Sequence, residues 1–371
     1  MPGGRKSGQG RAQFRVSAVS IPVAGQVKPQ SRPGLGGVLV ETDLVARAQA
    51  GDPNAFAQLV EGHRHELELH CYRVLGSAQD AEDTVQETFL AAWQHIAGFE
   101  ARSSVRTWLY RIATNRCLMA LRAARRRQPV DVAVPVGRGP EPNATSDVVW
   151  LEPYPDLLLD GIEDAGPGPD ARVEAREAIS LAFVAALQLL PPRQRAVLLL
   201  RDVLGFRAKE VAAMLDIGEE SVNSALRHAR TNLQNRLPLP GDPPPAPNSP
   251  AERAIIEHLA TAYEAGDIAS LVALLTEDAV ISAPLAAGAH VGPTAAARVF
   301  ETIFAQGRSY RLIPTRANRQ PAFGVYLRDP ATGVFHAHGM LVVTLAGDRV
   351  RAMTRFDDSV IACFGLPRRL P

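Results

Sequence analysis

The chain has 371 residues, which at the soft prior of ~150 residues per domain suggests two or three domains. Its net charge of +1 excludes nucleic-acid binding through bulk charge, so any such function rests on local segregation of charge. Cys71, Cys117 and Cys363 lie far apart without a CxxC or Cys/His cluster, which excludes a disulfide framework and a zinc site and fits a reduced cytoplasm. No apolar run of ~18 residues occurs, so neither a transmembrane helix nor a membrane partner is expected.

Met1–Val40 is rich in Gly, Pro, Ser and basic residues and has no periodicity. It is expected to be disordered, and it lacks the compact apolar segment of a signal peptide. Residues 41–127 read as an all-helical bundle. Thr42–Asp43 and Asp52–Pro53 are helix starts. Phe56, Leu59 and Val60 continue an apolar stripe, and a helix from about Arg64 to Leu75 turns Leu67, His70, Cys71 and Val74 inward. His63 and His65 stand at i, i+2 on that helix and point to different sides, so they do not form a metal site.

From Asp80 to Arg127 two amphipathic helices flank a polar break. In the first, Ala81, Val85, Phe89, Ala92, Trp93 and Ile96 share one face. Asp83, Gln86 and Glu87, at i, i+3 and i+4, project together on another. Gly98 ends it. Ser103–Ser104 can cap the second helix, whose buried stripe is Val105, Trp108, Leu109 and Ile112. Between Arg102 and Arg127 stand eight arginines and no acid. An acid-amide face suits a basic protein, and an arginine-aromatic helix suits a nucleic-acid backbone. Trp93 is assigned to the core, whereas Trp108 fits core and DNA equally well.

DAEDTVQETFLAAW followed by RTWLYRIATNRCL resembles region 2 of the extracytoplasmic-function sigma factors, promoter-specificity subunits of bacterial RNA polymerase. Met119 stands where the family pattern often has Asp. The resemblance implies that Asp80, Asp83, Gln86 and Glu87 bind the core polymerase. It further implies that the −10 element is met by Glu100, Arg102, Ser103, Ser104, Arg106, Trp108, Arg111, Asn115, Arg116 and Arg122. The break FEARSS would then capture an unstacked base, read on its edges by polar groups.

Residues 128–169 form a Pro/Gly/Asp-rich linker expected to lack regular structure. One island, WLEPYPDLLL, is too apolar to stay solvated. It resembles a Trp-Leu-Pro motif of sigma factors that carry an extra C-terminal domain. Trp150, Leu151, Glu152, Pro153 and Pro155 are assigned to intramolecular docking.

Residues 170–237 read as a second helical domain. An apolar helix spans Ala178–Leu190, and Pro191–Pro192 starts the next, with Ala196, Val197, Leu199 and Leu200 inward. AKEVAAML, a turn at Asp216-Ile217-Gly218 and a helix from Glu219 to about Arg236 make a helix-turn-helix. Val222, Ala225, Leu226, Ala229 and Leu233 face inward on the last helix. This stretch resembles region 4 of the same family, which reads the −35 element. By that resemblance Arg193, Lys209, Glu220, Ser221, Asn223, Ser224, Arg227 and Arg230 face DNA, with Arg suited to guanine edges and Asn to adenine. Glu219, at the helix start, matches the helix dipole instead.

Residues 238–250 are a proline-rich, semi-rigid spacer. Residues 251–371 read as two helices, a strand, a helix and a meander over Tyr310–Arg319, Ala322–Arg328, Val334–Leu345 and Arg349–Phe356. That order makes an α+β cone and resembles the SnoaL-like members of the NTF2-like superfamily. His290, His336, His338 and Asp357 are candidates for acid–base work, but no acid is visibly placed to orient a histidine. No catalytic residue, metal ligand or cofactor is therefore assigned. A small molecule or the rest of the chain is the expected partner of this domain.

The reading is a multidomain protein, two all-α units followed by an α+β cone. It is expected to act as a cytoplasmic sigma factor that joins core RNA polymerase (β′ and β subunits), binds promoter DNA and is modulated by its third domain. Two other readings remain, a SnoaL-type cyclase or isomerase with a tethered helical module and a helix-turn-helix activator that never joins polymerase. The acid-amide face at Asp83–Glu87 discriminates, because neither needs it.

Overall fold

The computed structural model describes residues 35–127, 144–145, 151–159, 178–237, 241–283 and 288–371. The first unit consists of α1 (Leu35–Gln49), α2 (Pro53–Glu61), α3 (Arg64–Leu75), α4 (Ala78–His95) and α5 (Val105–Arg127). α1 begins inside the stretch expected to be disordered. Gly36–Gly37 reads as a breaker, at about 1 kcal/mol per glycine relative to alanine, and hides the start. The other boundaries follow local chemistry. Asp52 accepts hydrogen bonds from the N–H groups of Asn54 and Ala55, and Pro53 opens α2. Gly76 closes α3 at φ 82°, and Ser77 caps α4. A 3₁₀ turn over Ile96–Gly98 ends α4. The Ser104 hydroxyl accepts from Thr107 N–H at the start of α5. Leu67, Tyr72, Val85, Leu109, Tyr110 and Cys117 are fully buried between these helices.

The second unit holds α6 (Leu181–Gln188), α7 (Pro192–Leu198), α8 (Ala208–Leu215) and α9 (Glu219–Gln234). α7 continues into a π-helical turn over Leu199–Val203. Asp216, at φ 53°, is the left-handed residue that turns α8 into α9.

The third unit contains α10 (Pro250–Ala265), α11 (Ile268–Ala273) and α12 (Pro293–Phe304). Its sheet comprises β1 (Ala144–Thr145), β2 (Leu275–Ser282), β3 (Gly288–Val291), β4 (Tyr310–Ala317), β5 (Gln320–Arg328), β6 (Phe335–Ala346), β7 (Arg349–Phe356) and β8 (Arg369–Leu370). The strand order is β1-β3-β2-β7-β6-β5-β4, with β8 beside β6. Among the described residues, only β2 and β7 pair in parallel. β1 comes from the first linker, which corrects the expectation that this linker lacks regular structure; its partner is β3. The proline-rich spacer lies on its own domain, where Gly347 N–H donates to Asp242 O and Asn248 N–H to the buried Glu252 carboxylate.

The two faces of this sheet belong to different cores. Phe323, Val325, Leu341 and Val343 face α10–α12 in one core. Ala317, Ala322, Met340, Val342 and Phe356 belong to the other, which runs on through Tyr154 and Leu159 into both helical units. Strands buried on both faces read as continuous apolar runs rather than alternation. Gly324 permits the second packing layer, because a Cβ there would lie 2.7 Å from Leu366 Cδ1 of the C-terminal segment.

Candidate nucleic-acid and polymerase interfaces

On α4, burial of Ala81, Val85, Phe89 and Ala92 leaves Asp80, Asp83, Gln86 and Glu87 exposed together on the opposite side. Burial, and then the Asp83 charge, holds the Asp80 carboxyl above its usual range. Glu87 is joined across the helix seam by Arg116 of α5, Nη1 to Oε2 at 3.1 Å. Leu90, one turn on, is 60 % exposed, so this acidic face also carries an apolar contact point.

The loop before α5 is open, and Glu100, Arg102, Ser103 and Ser104 are all exposed. Arg102 pairs with Glu100. Trp108 is half-buried against Phe99, ring centroids 4.9 Å apart, while Trp93 packs on Phe56 at 5.1 Å. Arg111 and Arg122 are exposed. Arg106 and Asn115 are engaged within the chain. Arg106 Nε donates to Glu66 Oε2 at 2.8 Å, and its guanidinium lies over the Tyr110 and Phe206 rings at 4.8 and 5.3 Å. Asn115 Nδ2 donates to Met214 O of α8 at 3.0 Å. Phe206 and Met214 belong to the second unit, which therefore lies on the helix expected to meet the −10 element.

On α9, Glu220, Ser221, Asn223 and Arg227 are exposed, Ser224 is half-buried, and Arg193 and Lys209 are open. Arg230 points elsewhere: it forms a bidentate pair with Asp202 at 2.8 and 2.7 Å. No local spacing discloses that pair, because its members stand 28 positions apart. Arg122 and Arg193, expected at different promoter elements, line one cleft of about 350 Å³ together with Leu118, Pro191 and Pro192. Further bonds join the units behind it. Arg73 Nε donates to Ala178 O at 3.0 Å, and the buried Arg195 donates to Val74 O.

The linker island lies where all three units meet; Trp150 falls outside the described residues. Leu151, Pro153, Tyr154, Pro155 and Leu159 are buried. Glu152 closes the entry to α4, its carboxylate accepting from Ala78 N–H at 3.1 Å and its own N–H donating to Gly76 O at 2.7 Å. A carboxylate there complements the helix dipole. The turn between β4 and β5 reaches into this junction. Asn318 and Arg319 both take positive φ, 55° and 60°, as a two-residue hairpin turn requires. The Asn318 amide is fully buried. It accepts from Tyr154 N–H and donates to the Tyr72 hydroxyl and Ile179 O, each at 2.9 Å. One side chain thus touches the first unit, the linker, the entry to the second unit and the third domain. Beside it, Arg316 bridges Asp156 at 3.3 Å and Glu252 at 2.8 Å, while Arg319 N–H donates to Asp156 at 2.7 Å. Burial nonetheless holds the Asp156 carboxyl above its usual range. Sequence reasoning missed Glu66, Tyr72, Phe206 and Asn318. The one available signal was Asn-Arg in a tight turn between two apolar strands.

In the third unit, no hydrogen bond joins His290, His336, His338 or Asp357 to another of the four. His338 occupies a bulge in β6 opposite Val325 and Tyr326, next to Tyr310. Desolvation of its ring, followed by the Arg355 and Arg308 charges, pushes the imidazole down to about 4, so it is neutral at physiological pH. Asp357 caps the 3₁₀ segment Asp358–Phe364. Among the described residues, no group of His, Cys, Asp and Glu is arranged to hold a metal, and no helix is long and apolar enough to cross a membrane.

Known families match each unit. Residues 59–127 match sigma-70 region 2, residues 180–233 sigma-70 region 4 and residues 256–353 the SnoaL-like domain. The chain is 40% identical over 350 residues, 90% of each protein, to the ECF RNA polymerase sigma factor SigG of Mycobacterium tuberculosis. It belongs to the extracytoplasmic-function sigma factors. This sigma factor also resembles SigW of Bacillus subtilis, 28% identical over 193 residues that cover 52% of this chain and 94% of SigW. SigW is therefore matched by only about half of the present chain. In fold it is similar to the M. tuberculosis sigma factor SigJ, with a TM-score of 0.54 at 21% identity over 80% of this chain and 94% of SigJ.

Proposed function

We propose that this sigma factor joins core RNA polymerase in the cytoplasm through the Asp80–Glu87 face of α4. It would read the −10 element with α5 and the loop before it, and the −35 element with α9. The third domain would act as a regulator that holds the first two units closed. One observation carries the regulatory part: the buried Asn318 of the third domain bonds Tyr154, Tyr72 and Ile179, in a form in which Arg122 and Arg193 line a single cleft. The two promoter elements lie about 25 base pairs apart, roughly 85 Å at ~3.4 Å per base pair. Two units in contact do not span that distance, so promoter reading requires α8 to leave α5. Asn318 ties the hairpin, the linker and both helical units into the closed form. Opening has a free-energy cost that lowers apparent DNA affinity by the fraction of open molecules.

The test is runoff transcription with core polymerase, together with hydrogen exchange over residues 151–159. Asn318→Ala leaves the Tyr154 N–H and Ile179 O unpaired, at about 1–3 kcal/mol for each group that stays buried. The variant is expected to exchange faster in that segment and to transcribe more at limiting concentration. Faster exchange with unchanged transcription would separate docking from regulation and defeat the proposal.

A further inference from the structure

We propose that the end of the sheet away from the junction is a sequence-independent phosphate-binding surface for duplex DNA. Pairing in the sheet brings its arginines together. Arg328 N–H donates to Ser309 O, which places Arg308 and Arg311 of the β4 end beside the β5 end. Arg369 stands opposite His336, and Ala337 N–H donates to Arg368 O. Arg355 joins them through a hydrogen bond to His338 O. At this end of the sheet the sequence places Arg308, Arg311, Arg328, Arg355, Arg368 and Arg369 against Asp329, Asp357 and Asp358. Asp329 accepts from Ala331 N–H and the Thr332 hydroxyl and Asp357 from Ser359, so two of the three aspartates are engaged locally, while Asp358 stands exposed at the start of the 3₁₀ segment.

Arg308, Arg311, Arg328, Arg368 and Arg369 are exposed. Arg311 lies over the Phe335 ring at 4.4 Å and reaches Pro371 O at 3.3 Å. Among the described residues, none of the five has a side-chain carboxylate in ion-pair range. Elsewhere among the described residues Arg47, Arg64, Arg106, Arg116, Arg230 and Arg316 each have one, while Arg111, Arg227, Arg253 and Arg298 are exposed without one, so what marks the rim is the number of such arginines gathered at one end of the sheet.

Exposed arginines without a side-chain carboxylate partner, on a rim without exposed apolar anchors, favour a phosphate backbone over a protein. Protein interfaces are built around buried apolar or aromatic anchors. The large exposed apolar side chains among the described residues are Leu90, Met119, Leu157, Leu158 and Val291, none of them on this rim. Adjacent strands place charges about 4.8 Å apart, and duplex DNA presents one charge per ~1.7 Å of its axis. The rim lies roughly 30 Å from the junction along β5, at ~3.4 Å per residue, so docking of the hairpin tip leaves it open. Phosphate contacts carry no sequence information, so its contribution is affinity without sequence preference.

The inference rests on the promoter-DNA reading above. The test uses the full chain assembled with core polymerase and two duplexes of equal length, one with the promoter and one scrambled. Arg328→Gln/Arg369→Gln is compared with Arg253→Gln/Arg298→Gln, an equal charge change on the exposed helical side. The rim variant is expected to weaken binding to both duplexes by the same factor. Its salt slope should be smaller by roughly 2, near 0.9 per lost phosphate contact. Between ~50 and ~200 mM salt, the wild type should therefore lose roughly 15-fold more affinity than the variant. The helical-side variant should match the wild type. An unchanged slope, an equal loss in both variants, or a loss of core-polymerase affinity instead would overturn the proposal. Absence of promoter preference in the wild type would instead count against the promoter-reading roles proposed for α5 and α9.

Discussion

The β4–β5 hairpin has two ends of opposite character. At its tip, Arg316 is paired twice, the Arg319 N–H is bonded to Asp156, and Asn318 is fully buried. At its open end, Arg308, Arg311 and Arg328 are solvent-exposed and have no side-chain carboxylate partner. Residue type does not distinguish the ends, since both are rich in arginine. Supply of counter-charge does. The first linker brings Asp156 and α10 brings Glu252 to the tip, whereas Asp329, Asp357 and Asp358 at the other end form no ion pair with Arg308, Arg311 or Arg328. Matched charge marks a contact made within the chain, and unmatched charge leaves a field for a partner outside it.

The comparison predicts unequal costs for one substitution. Arg316→Met should destabilise the protein by about 2–3 kcal/mol, because Glu252 is 3 % exposed and would remain as a buried carboxylate without its cation. Arg328→Met, at an exposed and unpaired position, should stay within about 0.5 kcal/mol. Urea unfolding of both variants measures the difference. Equal losses would mean that pairing does not separate the two ends.

A smaller effect separates affinity from specificity. Arg227→Ala should reduce discrimination of the −35 element by about 1–2 kcal/mol if the guanidinium makes a bidentate base contact. Arg122→Ala should weaken promoter and scrambled DNA alike. If closure at the tip fixes the spacing of α5 and α9 and so lowers the affinity for every sequence equally, the Arg227→Ala discrimination loss should be the same in an Asn318→Ala background. Competition binding with paired duplexes reads both quantities. A discrimination loss that depended on Asn318 would show that the tip alters base reading itself.

Local signals were enough for the units and insufficient for the way they meet. Asp52, Ser104 and Gly76 mark helix ends within a few residues of the groups they satisfy, and the apolar stripes of α4 and α9 follow the helical period. The meander was legible because its turns carry Asp-Pro and Gly-Asp pairs. The junction was not, because Asn318 finds Tyr72 at a separation of 246 residues and Ile179 at 139. Arg230 and Asp202 were hidden for the same reason at shorter range. The runs PAFGVYL and GMLVVTL did carry a long-range signal. Strands apolar on both faces require a second covering layer, and that layer is supplied by the C-terminal segment and the helical units.

The smallest structural effect belongs to an exposed pair, and it sharpens the contrast with Arg316 and Glu252. Arg116 and Glu87 meet at 3.1 Å, with side chains 34 % and 62 % exposed. In water such a pair contributes about 0–1 kcal/mol, since Coulomb attraction is offset by side-chain entropy and screening. Glu87→Lys should therefore leave the unfolding midpoint within about 0.5 kcal/mol of the wild type. The same change reverses the charge of a face that also presents Asp80, Asp83, Gln86 and Leu90, all exposed. If that face meets a basic surface of core polymerase, assembly should weaken strongly and recover little at higher stability. A pull-down with core polymerase, run beside urea unfolding, reads both. Normal assembly of a stable Glu87→Lys protein would move the polymerase contact away from α4. Lost assembly with normal stability would place the function of Glu87 in recognition, where its exposed pairing with Arg116 costs the fold almost nothing to break.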